Sequence, residues 1–445
     1  MSIYEKAQRD GEAGLTLNLD NMERKIERVW HEAHVNDFLS QEALVVDAGS
    51  STDTGVSWVL PTLAEKPIVL AGGIPDPNTM PIKDLKLAIE NVLDHSYEDA
   101  LSYGGVEGYD GLRSMLARRQ SYLDCVSLGV DNFVLNNGGA GSIDAICSAF
   151  LDPGEVVLVE SPTFSGSIRT FKGHLANIKQ IPLDNDGLHV GEAGEVISQV
   201  LGEGRRPKLL YTIPDFQNPT GVTLTLDRRH ELLDLCRRNQ ILIIEDSAYT
   251  ELYFGESVLP SLYSLAQGQG VLKVGSFSKI IATGLRVGWV QARNDFIQAI
   301  SRVKFDMGAS PLLLYALAKY LESEKLEGHI DKMRAMYAKK CDVLCNSLET
   351  HCSEYVKFRR PQGGFFLWVE CVGPTASEVV REAASEGLLF PAGAIFFLSG
   401  SGDDDSHVRL AFSSASVEEL EEVGPRLKSV FQRALGEVAT DSDGG

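Results

Sequence analysis

The chain has 445 residues, 44% of them apolar and 23% charged, with a formal net charge of −21. At ~150 residues per domain that length leans towards two or three domains, and the composition excludes a wholly disordered chain, a collagen-like repeat or a disulfide-stapled mini-protein. An excess of 62 acidic over 41 basic residues repels phosphate backbones and anionic lipid, so neither nucleic acid nor a membrane is an expected partner. A small anionic substrate stays compatible, since it needs only one well-placed arginine.

The first residues, MSIYEKAQRDGEAG, are too polar for a signal peptide, and no apolar run approaches the ~18–20 residues that span a bilayer. Seven cysteines form an odd, sparse set without a Cys-x-x-Cys pair. They read as reduced thiols of a cytoplasmic protein. Cys341, Cys345, His351 and Cys352 lie close together in sequence, but no second spaced pair completes four ligands, so no metal site is expected.

Residues 1–65 read as an N-terminal arm, with an amphipathic helix over Asn21–Leu39 and a polar stretch, DAGSSTDTG. From about Asp131 short apolar runs recur: DNFVLNN, EVVLVES, KLLYTIP, QILIIED, VLKVGS and LRVGWVQA. Helix-like segments separate them; HELLDLCRRN, for one, places Leu232, Leu233, Leu235 and Cys236 on one face. Near-continuous apolar strands alternating with helices imply a parallel sheet covered on both faces, with ligands at the carboxyl ends of its strands. After about Asn294 the pattern is helical through Glu354, and short strands (GGFFLWVE, HVRLAFS) then alternate with helices as in an α+β domain. The layout expected is a large domain over 96–320, a small domain drawn from 66–95 and 321–435, and a disordered acidic tail over 436–445.

The chemistry-bearing residues follow the predicted strands. Asn136–Gly141 (NNGGAG) precedes a helix, where glycines let backbone N–H groups approach a phosphate at a helix N-terminus; alone, the stretch reads first as a plain glycine-rich turn. Glu245 and Asp246 end QILIIED, as functional carboxylates or as a solvated strand terminus. Ser276, Ser278 and Lys279 end VLKVGSFSK, and Arg286 follows in GLRVGW. A lysine held between apolar elements beside another cation can be deprotonated and form a Schiff base. Together, a phosphate cradle, a strand-end carboxylate, a strand-end lysine and an arginine are what a pyridoxal phosphate site requires.

Five motifs in order, YTIPDFQNPTG (211–221), ILIIEDSAY (241–249), GSFSKIIATGLRVGW (275–289), PQGGFFLW (361–368) and HVRLAFS (407–413), resemble those of the class I and II aminotransferases. AGGIPDPNTMP (71–81) is similar to the branch containing aminoadipate, kynurenine and aromatic aminotransferases. The resemblance implies a fold-type I α/β architecture: a mostly parallel seven-stranded sheet between helices, with a smaller α+β domain. It implies transfer of an amino group from an L-amino acid to a 2-oxo acid by ping-pong chemistry on pyridoxal 5'-phosphate, in a homodimer with shared active sites. In it Lys279 is the Schiff-base lysine, Asp246 pairs with the pyridine nitrogen, and Asn218 and Tyr249 reach the phenolic oxygen. Backbone groups of Gly139 and Ala140, with Ser276, Ser278 and Arg286, bind phosphate, and Phe164 stacks on the ring. Tyr103 reaches the neighbouring subunit's phosphate. Arg409, with Asn218 and Gly73, takes the substrate, Arg409 through a bidentate pair with its carboxylate.

Departures from the family pattern occur at Gly139–Ala140, where relatives often carry a polar pair, and at Phe164, where many carry tyrosine. LLFPAGAIFF (388–397) and KFDMGASP (304–311) also differ near the substrate pocket. They keep open an alternative outcome on the same cofactor: β- or γ-elimination, replacement or oxidation. An amino-acid-sensing transcription regulator is not expected, because the ~65 residues before the aminotransferase-like part are neither basic nor patterned as a DNA-binding module. Arg24 and Arg28 are candidates to read a distal carboxylate, against a plain solvated helix face.

Overall fold

The computed structural model describes residues 39–46, 67–306, 308–398 and 405–436. The chain falls into two units, residues 1–48 and 49–445. Of the first, a short helix, Gln41–Val45, is described, with Ser40 Oγ accepting from Ala43 N at 3.2 Å. The expected Asn21–Leu39 helix, apart from Leu39 itself, Arg24, Arg28 and the DAGSSTDTG stretch lie outside the described residues.

In the second unit, thirteen described strands run in chain order: β1 Ile68–Val69, β2 Phe133–Asn137, β3 Val156–Ser161, β4 Asn177–Asp184, β5 Gly187–Leu188, β6 Pro207–Thr212, β7 Leu242–Asp246, β8 Val271–Ser276, β9 Val287–Gln291, β10 Val356–Phe358, β11 Phe366–Cys371, β12 Leu388–Leu389 and β13 His407–Ala411. The main sheet has the order β2-β9-β8-β7-β6-β3-β4-β5. β3, β4, β6, β7 and β8 pair in parallel, and β9 runs antiparallel to both β2 and β8. The fold class is the one expected, but the sheet carries eight strands rather than seven. The chain turns back after β4 through Gly187 (φ +95°), and Leu183 and Asp184 pair antiparallel with Leu188 and Gly187. Two residues are too few to register as an apolar run, which is why this edge hairpin left no strand signal.

The six apolar runs became β2, β3, β6, β7, β8 and β9 because each has both faces covered. Val156–Glu160, for example, is buried throughout, and β-branched residues fit such a doubly packed surface. On one face Val157, Val159, Leu209, Tyr211 and Ile244 join the large core that continues through the helices Gly138–Phe150, Pro311–Glu322 and Leu326–His351. On the other, Leu158, Leu210 and Ile243 pack with the helices Val190–Gly202 and Leu226–Asn239. Leu232 and Cys236 of the latter are buried, with Leu233 and Leu235 packed beside them, as the helical spacing predicts. The later strands form an antiparallel sheet, β10-β11-β13, and β1 pairs in parallel with β12.

The loop after β6 is anchored by a buried ion pair. Arg229 Nη2 meets Asp215 Oδ1, both side chains all but inaccessible to solvent, and Thr250 Oγ1 donates to Asp215 Oδ2 at 2.8 Å. Arg229 also donates to the carbonyls of Leu224, Pro214 and Pro260, so removing it strands one carboxylate and three acceptors. Arg229→Met is expected to lower unfolding free energy by about 3–5 kcal/mol, read as a shift of the urea midpoint by circular dichroism.

Candidate active site

The loops at the carboxyl ends of the parallel strands bring the predicted residues towards one rim. β2 ends at Asn137, and the Gly138–Phe150 helix starts there with no side-chain cap, so its first N–H groups have no intrahelical partner and point at the rim. Gly138 takes φ +76°, in the left-handed region that disfavours a side chain. Arg286 Nη2 donates to Asn137 O at 3.2 Å, and a Cβ on Gly138 would lie 2.7 Å from that same nitrogen. Ser276 Oγ donates to Ser278 Oγ (2.9 Å) and accepts from Ser278 N (3.1 Å). A Cβ on Gly139 would come to 3.9 Å from Ser276 Cβ. Gly139 and Ala140 in the helix's first turn, Ser276, Ser278 and Arg286 thus converge on one uncapped, cationic helix terminus, the donor set a phosphate monoester needs.

At the next strand end Asp246 accepts from Tyr211 Oη at 2.8 Å and from Ala248 N at 3.2 Å. Burial pushes the Asp246 carboxyl above its usual range, while Tyr211, the Ala248 N–H and the Lys279 charge hold it down. Burial, then the Asp246 charge, lifts the Tyr211 phenol well above its ordinary value, which keeps it a donor. Lys279 follows β8; its Nζ donates to Gly73 O at 2.7 Å and lies 5.8 Å from the Tyr249 ring centroid. Tyr249 is buried edge-on against Phe365 and Phe366. Gly73 admits no side chain, since a Cβ would sit 2.5 Å from Phe366 Cζ.

Arg409 in β13 is fully buried. Its Nη1 donates to Asn218 Oδ1 at 2.8 Å and its Nη2 to Ala71 O. The guanidinium lies over Phe366 and Phe396, 4.3 and 4.6 Å from their centroids, and Phe396 packs edge-on against Trp368. Lys279, Gly73, Tyr249, Asn218 and Arg409 therefore form one connected group.

Two predicted residues stand apart. Phe164 folds back over Gly166, whose Cβ would lie 2.4 Å from the ring. Tyr103 is 87% exposed. In the divergent 304–311 segment, Lys304 turns inward, Nζ donating to Leu135 O at 2.5 Å, and burial pushes its pKa down.

Sequence reasoning passed over Tyr211. The signal for it was register: Tyr211 pairs with Ile244, two residues before Asp246 on the same face. Glu160 and Gln217, both buried here, were also not singled out, although a carboxylate ending EVVLVES parallels the one ending QILIIED.

An uncapped helix terminus beside an arginine and two serines, a carboxylate and a lysine at neighbouring strand ends, and an inward arginine fit pyridoxal phosphate, and the fold and site define a pyridoxal-phosphate-dependent transferase of fold type I. The chain belongs to the aminotransferase class I and II family, whose model matches residues 66–427. It is 32% identical over 372 residues to aromatic-amino-acid aminotransferase 1 of Thermococcus litoralis, covering 83% of this chain and 88% of that protein. To the 2-aminoadipate transaminase of Thermus thermophilus it is 32% identical over 382 residues, 84% and 92% of the two chains. The crystal structure of Pyrococcus horikoshii kynurenine aminotransferase superposes with TM-score 0.84 at 28% identity, over 91% of this chain and 99% of that one. The chain is a pyridoxal-phosphate-dependent aminotransferase acting on amino acids and 2-oxo acids; elimination, replacement or oxidation is not favoured.

Tyr211→Phe removes a donor to the Asp246 carboxylate, a bond of about 1.5–3 kcal/mol. The donor lowers the Asp246 pKa, so its loss raises it, and the acid limb of the kcat/KM profile should move to higher pH. The accompanying fall in kcat is about 10-fold, measured at the pH optimum.

Proposed function

We propose that this aminotransferase takes aromatic L-amino acids as donors and a 2-oxo acid as acceptor. The observation that carries the substrate class is the aromatic wall at Arg409: Phe366 and Phe396 flank the guanidinium, with Trp368 behind Phe396. A planar side chain entering beside that fork meets ring faces and edges, where aromatic pairs gain about 0.5–1.5 kcal/mol beyond burial. The names of the Thermococcus and Pyrococcus proteins point the same way.

Each residue then has a task. Gly139 and Ala140 N–H groups, Ser276, Ser278 and Arg286 would hold the cofactor's phosphate, Asn218 and Tyr249 its phenolic oxygen, and Phe164 a ring face. Bound pyridoxal phosphate supplies the electron sink that makes an amino acid's α-proton removable. Asp246 would pair with the cofactor's pyridine nitrogen and favour its protonated form, while the Tyr211 hydroxyl donates to that carboxylate and favours its charged form. Lys279 Nζ takes the proton from the substrate's Cα, within reach of Gly73 O. Arg409 binds the substrate carboxylate through its planar fork, which lysine does not offer.

We also read residues 96–320 as the cofactor domain, which contains the whole eight-stranded sheet, and 66–95 with 321–435 as the small domain, supported by the β1–β12 pairing. We also infer a homodimer, a reading supported by the run of exposed apolar side chains Ile82, Leu87, Tyr97, Leu101 and Tyr103 along residues 82–103, which a partner surface would cover. Seven cysteines, none of them in a disulfide, support a cytoplasmic location; no helix among the described residues is long and apolar enough to cross a membrane.

Lys279→Ala should cut transamination by at least ~10²–10⁴-fold, and the purified variant should lack the visible absorbance band of the resting enzyme. A donor screen against 2-oxoglutarate and pyruvate tests the substrate class. Phenylalanine, tyrosine and kynurenine should give higher kcat/KM than 2-aminoadipate, and the reverse order would overturn the aromatic reading.

A further inference from the structure

Glu160, one residue before the end of β3, has 1% of its surface exposed and hydrogen-bonds none of the residues given a task above. Its carboxyl accepts from Thr212 Oγ1 at 2.5 Å, from Ile213 N at 3.2 Å and from Gln217 Nε2 at 3.1 Å. Burial pushes it up to about 7, against the pull of these donors. Gln217, also buried, uses both ends of its amide. Nε2 donates to Glu160 and to Pro162 O (2.8 Å), while Oε1 accepts from Thr220 N (3.0 Å) and Thr220 Oγ1 (2.7 Å). Flipping that amide would set donor against donor at Thr220 and acceptor against acceptor at Glu160, so its orientation is locked.

Two chain segments leave this lock, and both end at Arg409. From Gln217 the next residue is Asn218, whose Oδ1 accepts from Arg409 Nη1 at 2.8 Å. From Pro162 the next residue is Thr163, whose N donates to Phe396 O at 2.9 Å, and the Phe396 ring lies 4.6 Å from the guanidinium carbon. One contact fixes a nitrogen of the fork and the other a ring on its face. A fully satisfied buried polar network specifies one geometry where apolar packing tolerates several.

We propose that Glu160 and Gln217 form a positioning pair that aims the Arg409 fork at the substrate carboxylate, acting through Asn218 on one side and Thr163–Phe396 on the other. This rests on Arg409 being the carboxylate-binding residue. In Glu160→Gln one of the two oxygens becomes an NH2 donor, which faces either Gln217 Nε2 or the Ile213 N–H that both oxygens now accept, so in either orientation a contact of the loop carrying Asn218 is lost and that loop shifts. Glu160→Gln/Gln217→Glu re-forms one donor–acceptor contact in the reverse sense.

The test is binding of 3-phenylpropionate, an aromatic carboxylate with no amino group, to the holoenzyme by calorimetry, alongside KM and kcat for phenylalanine. Glu160→Gln should weaken the acid and raise KM by about 10-fold, with kcat within about 2-fold of the parent and the visible band of the resting enzyme unchanged. The double variant should recover part of the loss. Unchanged acid binding in Glu160→Gln, loss of kcat and cofactor absorbance with KM unmoved, or a double variant no better than Glu160→Gln would each overturn the pair. If Glu160→Gln does not fold, Gln217→Met, which keeps the stem and removes the amide, is held to the same criteria. Arg409→Lys separates the two readings: if it leaves acid binding intact, the role of Arg409 fails; if it weakens binding and Glu160→Gln does not, only the positioning pair fails.

Discussion

The rim of the sheet depends on how closely β9 approaches the turn after β2. A Cβ at Gly288 would fall 2.5 Å from Gly138 C and 2.7 Å from Gly139 N, so any side chain there would push the helix terminus off the strand. Without one, the first N–H groups of the Gly138–Phe150 helix settle directly beside the ends of β8 and β9. Arg286, two residues earlier with φ +50°, then reaches back to Asn137 O, and Ser276 Oγ, paired with Ser278, lies 3.4 Å from Val287 O. Helix terminus, arginine and serines converge because one strand position is bare.

The same rim gathers carboxyl groups that the sheet's interior disfavours. Asp246, Glu160 and Glu245 are all buried, and burial raises each carboxyl, the last two to about 7. Such groups are kept only where donors surround them, and each has its own set: Tyr211 and Ala248 N for Asp246; Thr212, Ile213 N and Gln217 for Glu160; Leu262 N and Tyr263 N for Glu245. Their neighbours define their consequences. Glu245 accepts from the first N–H groups of the Leu262–Leu265 helix, Asp246 feels the Lys279 charge, and Glu160 accepts from Ile213 N and Gln217 in the loop that carries Asn218. A charge of −21 is thus no guide to the site, where position decides what each carboxyl does.

Most of the sheet was legible because its strands are buried on both faces and write themselves as unbroken apolar runs. β4 was not, since Lys179 and Gln180 interrupt it and most of its residues are only half-buried, as expected beside a sheet edge. Among site residues, those on strand-end motifs were readable by residue type: Lys279, Asp246, Arg286, Arg409. Tyr211, Gln217 and Glu160 were hidden in the same motifs. What distinguishes them is partnership across strands, and pairings such as Tyr211 with Ile244 exist only once register is set. Tyr103, 87% exposed, shows the complementary limit, since a side chain in solvent makes little contact within its own chain from which a role could be read.

The fork that would read a substrate's carboxylate belongs to neither sheet alone. Arg409 stands on β13, yet the neutral acceptors oriented around it, Asn218 Oδ1 and Ala71 O, come from the loop after β6 and from the strand-like segment after β1. β1 itself is tied to β12, so the Ala71–Gly73 backbone joins the fork to Lys279, whose Nζ bonds Gly73 O. A shift of Arg409 that carries Ala71 with it therefore reaches the lysine's acceptor two residues on. Three residues of main chain, Ala71 to Gly73, thus lie between the guanidinium and the lysine, and a side chain at Gly73 would drive that segment off Phe366, 2.5 Å from a Cβ there.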